Sequence, residues 1–312
     1  MLRFTIGALA MLGLVAALPL VVHNEYWFFA GYVVLQFIVL ATAWNILGGY
    51  AGYVNFGTGA FFAVGAYTAV ALYKAFELPL GLQILAGAAA SGLLGFGVGL
   101  LTLRLRGIFF SIATIAVAIV LETVVLNWHY VGGAKGLPIL RPAETPFFGN
   151  YTAWLFVVMA AIALIAVVAA RYVETSWIGR GLRAIRDNEG AAECSGVPTL
   201  KLKLAAATLS GALMGAAGAP YAQYLSFIEP TSAFSLNHAI NALAMPIIGG
   251  MGHWIGPVIG AVLLGTVQQV VTVTVSSEVN VLVVGVMLVV FVVAAPEGIL
   301  GLVKRWKKTS SK

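Results

Sequence analysis

The sequence predicts an all-α integral membrane protein with about ten transmembrane helices in one bundle. Its composition is 61% hydrophobic and only 9% charged, with a mean hydropathy of +0.99, whereas soluble domains carry about 25% charged residues. Glycine supplies 36 of the 312 residues and falls inside the apolar runs, as in closely packed membrane helices. No linker marks a second domain, so we expect residues 1–312 to form a single transmembrane domain.

Ten apolar runs approach the roughly 20 residues that a membrane-spanning helix needs. They cover residues 4–22, 26–47, 57–75, 80–103, 108–127, 151–170, 200–224, 237–250, 254–275 and 279–295. The first run follows Arg3 in the manner of a signal peptide, but no small-x-small cleavage site comes after it, and we expect it to stay as a span. The eighth run is short, which indicates a broken or re-entrant helix.

The basic residues predict the orientation, because Lys and Arg collect on the cytoplasmic side of short loops. With ten spans and an internal N-terminus, one side holds all but three of the 17 lysines and arginines. The exceptions are Lys74, Lys135 and Arg141. Both termini are therefore predicted to be cytoplasmic, with a long cytoplasmic loop at residues 171–199 and a long external loop at 128–150.

Two rows of small residues predict close contacts between helices. The residues spaced four apart are Ser91, Gly95 and Gly99 in one row and Gly211, Gly215 and Ala219 in the other. Small side chains on one helix face let two backbones approach closely in a membrane.

The cytoplasmic loop contains a predicted amphipathic helix within WIGRGLRAIRDNEGAAECSGV, residues 177–197. Its two faces are the apolar stripe Ile178, Leu182 and Ile185 and the charged face Arg180, Arg183 and Asp187. Gly196 and Pro198 supply its end. Such a helix either fits its apolar stripe into a groove on a soluble partner or lies on the lipid surface.

Four ordered stretches carry a resemblance to a known family. They are NILGGYAGYVNFGTGAFFAVGAYTA (45–69), RGIFFSIATIAVAIVLETVVLNW (106–128), GRGLRAIRDNEGAAECSGV (179–197) and GALMGAAGAPYAQYLSFIEPTSAF (211–234), the last continued by IIGGMGHWIGPVIGA (247–261). They resemble the Liv-type permeases of bacterial ABC importers for branched-chain amino acids, specifically the M-type subunit. The resemblance implies a type II-like importer permease in the bacterial inner membrane that translocates branched-chain and other hydrophobic amino acids.

The resemblance also implies partners: a related second permease subunit, two cytoplasmic ATPase subunits and a periplasmic substrate-binding protein. In the family, the segment that resembles residues 179–197 receives the ATPase. Its contact candidates here are Arg180, Arg183, Arg186, Asp187, Glu189 and Gly196. The chain has no G-x-x-x-x-G-K-[ST] loop for phosphates, so we expect partner subunits to use ATP and Mg, and this chain to need no cofactor and to be no enzyme.

Polar residues within the apolar runs are the candidates for a translocation path. Glu122 is the only acidic residue that the predicted topology places in a span, where a charge costs about 2.5–3.5 kcal/mol. It either acts near the outer mouth or between helices, or reaches the outer interface near His129. The other candidates are Asn45, Asn55, Thr58, Thr114, Asn237 and Asn241. These side chains either line a path or hydrogen-bond neighbouring helices.

Three other functions stay open on the residues alone. A urea or short-chain amide permease of the same family is similar in the same stretches. An ion-coupled secondary transporter would use broken helices and buried ionisable groups, of which the sequence offers one acid. An intramembrane enzyme needs convergent catalytic groups or metal ligands, but no Ser-His-Asp, paired-Asp or His-Glu-x-x-His pattern occurs, and the spacing of the four histidines predicts no metal site.

Overall fold

The computed structural model describes residues 2–21, 24–102, 104–105, 107–139, 150–274, 279–295 and 297–302. The α-helices within these ranges are α1 Leu2–Val21, α2 Glu25–Ala51, α3 Thr58–Phe76, α4 Leu80–Thr102, α5 Ile108–Leu126, α6 Tyr151–Thr175, α7 Trp177–Cys194, α8 Thr199–Gly218, α9 Tyr221–Leu225, α10 Pro230–Ala233, α11 Leu236–Gly249, α12 Gly256–Thr274 and α13 Val279–Ala294. Two short strands, β1 Leu137–Pro138 and β2 Phe227–Ile228, pair antiparallel. The all-α prediction is confirmed.

Eight helical segments within the described ranges are long and apolar enough to cross a membrane. They are Glu25–Ala51, Thr58–Phe76, Leu80–Thr102, Ile108–Leu126, Tyr151–Thr175, Thr199–Leu225, Gly256–Thr274 and Val281–Leu302. The apolar stretch Phe4–Pro19 of α1 and the 14-residue α11 fall short of the roughly 20 residues that a span needs. The multi-pass membrane fold is confirmed, whereas the count of ten spans stays a prediction.

Contacts between helix ends sort the bundle into two faces, as alternating spans require. At one face the Phe4 ring of α1 lies 5.0 Å from the Trp254 ring and 4.1 Å from the Arg171 guanidinium. The beginning of α1 therefore lies beside the last turns of α6. At the opposite face Asn150 donates a 2.7 Å hydrogen bond to the Glu25 carboxylate, so α2 and α6 begin side by side and run parallel.

The face that carries α7 is the one predicted to be cytoplasmic, and we call it the inner face. Arg104, Arg171 and Lys201 also lie there, as the charge rule predicts. Arg106, Arg141 and the basic C-terminal segment 303–312 lie outside the described residues, so the cytoplasmic location of the termini stays a prediction.

The connection between α2 and α3 turns back into the bundle. The Trp44 indole donates a 2.8 Å hydrogen bond to the Asn55 carbonyl, although Trp44 lies seven residues before the end of α2. At 1.5 Å per residue, α3 therefore begins about 10 Å inside the end of α2. The segment before α11 contacts this connection, because a Cβ on Gly59 would lie 2.8 Å from the Phe234 carbonyl. The short eighth run, predicted to be a broken or re-entrant helix, corresponds to the 14-residue α11.

Glycines bring α3, α4 and α8 into backbone contact. A Cβ on Gly65 would lie 2.1 Å from the Gly215 carbonyl oxygen, and one on Gly215 would lie 2.4 Å from the Cβ of Ser91. A Cβ on Gly95 would lie 2.7 Å from the Ala207 carbonyl. The contacts predicted from the two rows of small residues are confirmed, with α4 and α8 packed along each other.

We expect Gly65→Ala to lower the free energy of unfolding by about 1–3 kcal/mol, because the added methyl group would overlap the backbone of α8. Gly97→Ala is the matched control, since its Cβ would meet nothing within 4 Å and alanine favours a helix. Thermal unfolding of the detergent-solubilised protein measures both. Equal effects of the two substitutions would contradict the packing described for α3.

Candidate functional site

The cytoplasmic loop folds as two short helices joined at Asn188. Asn188 has an extended backbone with φ −162° and ψ 106° inside α7, and its side-chain oxygen accepts a 3.0 Å hydrogen bond from the Ala191 amide. That bond caps the second helix, and the Ser176 side chain caps the first. Gly196 ends the loop at φ +82°, a conformation that favours glycine. The amphipathic helix predicted within 177–197 is confirmed, with a kink that the sequence analysis did not include.

The apolar stripe of α7 packs on its own bundle. Leu182 is fully buried and Ile185 nearly so, and both belong to the main hydrophobic core together with Leu202 of α8. The hypothesis that this stripe enters a groove on a partner is therefore wrong, because intramolecular packing already covers it. The alternative that it lies on lipid is wrong for the same reason.

A buried ion pair fixes the second half of α7. Lys203 donates a 2.6 Å hydrogen bond to the Glu189 carboxylate, with side-chain exposures of 4% and 12%. Tyr53 donates a 2.7 Å hydrogen bond to the other oxygen of Glu189 and accepts one of 3.1 Å from Lys203. These three groups join α7, α8 and the segment after α2. The Glu189 carboxylate therefore makes its hydrogen bonds within the protein.

Two arginines of α7 also turn towards the bundle. Arg183 donates a 2.9 Å hydrogen bond to the Glu174 carbonyl, and Arg186 donates one of 3.1 Å to the Gly49 carbonyl. Arg186 is wedged between glycines, since a Cβ on Gly52 or on Gly252 would lie 2.9 Å from its side chain. This arginine therefore contacts both the end of α2 and the turn between α11 and α12.

The remaining candidates of the loop are open to solvent. Arg180 and Gly196 are exposed, and the Asp187 side chain is 73% exposed although it lies 3.5 Å from Arg186. Of the six residues predicted to contact an ATPase, these three are exposed, and Arg186 keeps 39% of its side chain exposed. The contact itself stays a prediction.

The turn between α11 and α12 is fastened to the inner ends of α2 and α6. Asn45 donates to the His253 carbonyl at 3.4 Å and accepts from the Gly252 amide at 3.2 Å. The Glu174 carboxylate accepts a 2.6 Å hydrogen bond from the Trp254 amide and lies 3.8 Å from the His253 imidazole. Asn45 is fully buried and holds these segments together.

Two other path candidates, Asn55 and Thr114, stabilise the connection between α2 and α3. Asn55 accepts a 2.7 Å hydrogen bond from the Gly57 amide, and Thr114 accepts one of 3.1 Å from the Phe56 amide. Thr58 is fully buried, and its hydroxyl has no hydrogen-bond partner among the described residues. Glu122 is half-buried one turn before the end of α5 and pairs with no other described residue.

Two of the predicted path residues, Asn237 and Asn241, line a cavity between the described helices. It lies between α2, α11, α12 and α13, encloses about 260 Å³ and has an open side. Its polar lining consists of Asn237, Asn241, Gln268, Gln269 and Thr272. Its apolar lining consists of Val33, Phe37, Ile240, Val281 and Val284. We call this cavity the amide pocket.

Several of these functional residues were missed by the sequence analysis. Gln268 and Gln269 stand inside the apolar run 254–275, and the criterion that selected Asn241 would have selected them too. Lys203 counted only as a membrane-flanking charge, because its pairing with Glu189 requires the loop to fold back. Among the described residues, no three His, Cys, Asp or Glu side chains lie close enough together to hold a metal.

The described residues form a multi-pass helical bundle with a partly polar pocket between its helices and a short amphipathic helix at its inner face. The family model for the permease component of branched-chain amino acid transport systems matches residues 26–292. The chain therefore belongs to that family of transport permeases.

Curated relatives agree with this membership. The chain is 28% identical over 304 residues to the high-affinity branched-chain amino acid transport system permease protein LivM of Salmonella typhimurium, covering 88% of this chain and 70% of that protein. It is 28% identical over 294 residues to LivM of Escherichia coli, covering 85% and 67%. It is 27% identical over 209 residues to the probable permease LivH of Methanocaldococcus jannaschii, covering 63% and 64%. No solved structure matches the chain.

We expect Glu189→Gln to lower the free energy of unfolding by about 3–5 kcal/mol, because Lys203 would be left buried without its counter-charge. Asp187→Asn is the control, since Asp187 is mostly exposed. The double variant Glu189→Gln, Lys203→Met should recover part of the loss, because no unpaired charge stays buried. Thermal unfolding measures all three, and equal losses for Glu189→Gln and Asp187→Asn would contradict the buried pair.

Proposed function

We propose that this chain is the M-type permease subunit of an ATP-driven importer in the bacterial inner membrane, and that it translocates branched-chain and other hydrophobic amino acids. The observation that carries the proposal is the similarity to the LivM proteins of Salmonella typhimurium and Escherichia coli, which covers 85–88% of the chain. The similarity to the LivH proteins of the same two species covers 47%. A LivH-like chain is accordingly the proposed second permease subunit.

The proposed importer has two further kinds of partner. A periplasmic binding protein delivers the amino acid at the outer face, and two ATPase subunits bind at the inner face and use ATP and Mg. The ATPase contact is assigned to the solvent-facing surface of α7 and the turn after it, where Arg180, Asp187 and Gly196 are exposed. Charged side chains around a docked helix set the register of such a contact.

The internal contacts of α7 supply a physical route for coupling. The Lys203–Glu189 pair ties α7 to α8, and Arg186 ties it to α2 and the α11–α12 turn. A displacement of α7 by the ATPases would therefore act on α8, α2 and the α11–α12 turn at once. Replacing Arg183 or Glu189 would disturb this attachment as well as any coupling, so the exposed Arg180 gives the cleaner test.

We expect Arg180→Glu to abolish co-purification of the ATPase subunits and ATP-dependent uptake, because charge reversal at a docking surface costs several kcal/mol. Arg104→Glu is the matched control, since Arg104 is exposed at the same inner face outside α7. Affinity purification followed by mass spectrometry and an uptake assay measures both. Retention of the ATPases by Arg180→Glu would place the docking surface elsewhere.

The substrate is tested by uptake into vesicles that contain the complex purified from its native membrane. We expect ATP-dependent uptake of leucine, isoleucine and valine, with no uptake of urea. Uptake of urea alone would make the chain a short-chain amide permease of the same family. Isolation without ATPases together with uptake driven by an ion gradient would overturn the importer proposal.

A further inference from the structure

The amide pocket lies in the outer half of the bundle. Thr272 stands two residues before the end of α12, and Val281 stands two residues after the beginning of α13. Both of these helix ends lie at the face opposite α7. Phe37 lies 12 residues after the beginning of α2, so the pocket extends from these outer helix ends towards the middle of the bundle.

Two carboxamides in the pocket are free for a ligand. Gln268 and Asn241 satisfy each other through a 2.8 Å hydrogen bond, but the side-chain amides of Asn237 and Gln269 make no hydrogen bond to another described residue. An unsatisfied amide in an apolar environment costs about 1–3 kcal/mol, so a membrane protein gains little from such groups unless water or a solute reaches them. Asn237 is exposed and Gln269 half-buried, which leaves both accessible from the open side.

The chemistry of the lining restricts the ligand. The pocket has no charged side chain among its described residues, so it offers no counter-charge to an isolated ion. A carboxamide has both donors and an acceptor, and two of them can therefore hydrogen-bond a carboxylate and an ammonium in the same solute. The opposite wall, with Val33, Phe37 and Val284, is aliphatic and aromatic and suits a hydrocarbon side chain.

The size fits the same class of solute. A volume of about 260 Å³ equals that of about nine water molecules at roughly 30 Å³ each. That space is large enough for one small amino acid.

We propose that the amide pocket is a weak binding site for a zwitterionic amino acid with an aliphatic side chain, with Asn237 and Gln269 contacting its charged end. This inference rests on the proposed function and gives that function a site. The missing counter-charges make binding weak, which lets the solute move on.

The test uses cysteine accessibility in the assembled importer. The single Cys194 is first replaced by Ser, and Gln269→Cys is compared with Val270→Cys. Val270 is its neighbour on α12, does not line the pocket and is 55% exposed. A charged, membrane-impermeant thiol reagent added outside should modify Gln269→Cys at least about tenfold faster, because thiolate chemistry needs water. Leucine should slow that reaction and leave the Val270→Cys reaction unchanged.

A second pair of cysteine variants provides the same test if Gln269→Cys does not assemble. Asn237→Cys lines the pocket, whereas Leu236→Cys precedes it on α11, is 52% exposed and is not part of the lining.

In uptake assays, Gln269→Ala should raise the KM for leucine about three- to tenfold, as expected for the loss of one hydrogen bond. Val270→Ala should leave the KM unchanged.

The outcomes separate the pocket from the proposed function. If the unaltered complex imports leucine but pocket and control cysteines react alike, or leucine gives no protection, the pocket inference is overturned and the proposed function stands. If the complex imports no branched-chain amino acid but imports urea or ribose, the proposed function fails. Protection of Gln269→Cys by that solute would then overturn the assignment of an aliphatic amino acid to the pocket.

Discussion

The absence of water in the bilayer core is the constraint on which the rest of this structure depends. Backbone amides and carbonyls at that depth need partners within the protein, so the chain is helical wherever it faces lipid. A departure from helix at that depth needs side chains that take over the bonding. The segment before α3 is such a place, because Trp44, Asn55 and Thr114 bond to its backbone groups. These side chains make an interrupted helix possible inside the membrane.

The same constraint explains how much of the fold the sequence could predict. Most apolar runs are long, so the helical segments and the small-residue faces of α4 and α8 could be predicted, although not that these two faces meet each other. The stripe of Leu182 and Ile185 predicted the helix α7 from its spacing. The spacing did not predict what the stripe packs against. The same pattern of apolar residues suits contact with the chain's own bundle, with a partner or with lipid.

The candidate site was less predictable for a related reason. A polar residue in an apolar run signals that its side chain needs a partner, but the partner comes from another helix. Asn45 and Asn241 look alike in the sequence, yet Asn45 fastens a turn and Asn241 lines a pocket. Lys203 and Glu189 lie 14 residues apart across a loop, and only the return of the chain at Gly196 brings them together.

The internal contacts of α7 link its position to the positions of the membrane helices. A loop that rested on lipid could move without disturbing the helices, whereas α7 is joined to α2 by Arg186 and to α8 by Lys203. The Lys203 link is buried, where hydrogen bonds are strong, whereas the Arg186 side chain is 39% exposed. The helix α7 is thus attached directly to the membrane bundle.

The uncharged lining of the amide pocket has an electrical consequence. Moving one elementary charge through a membrane potential of 100 mV changes its energy by about 2.3 kcal/mol. The pocket walls carry no charged side chain among the described residues, and a zwitterion has no net charge. A rearrangement of α11 and α12 around such a solute would therefore move almost no charge through the field, and the voltage across the membrane would neither drive nor oppose it.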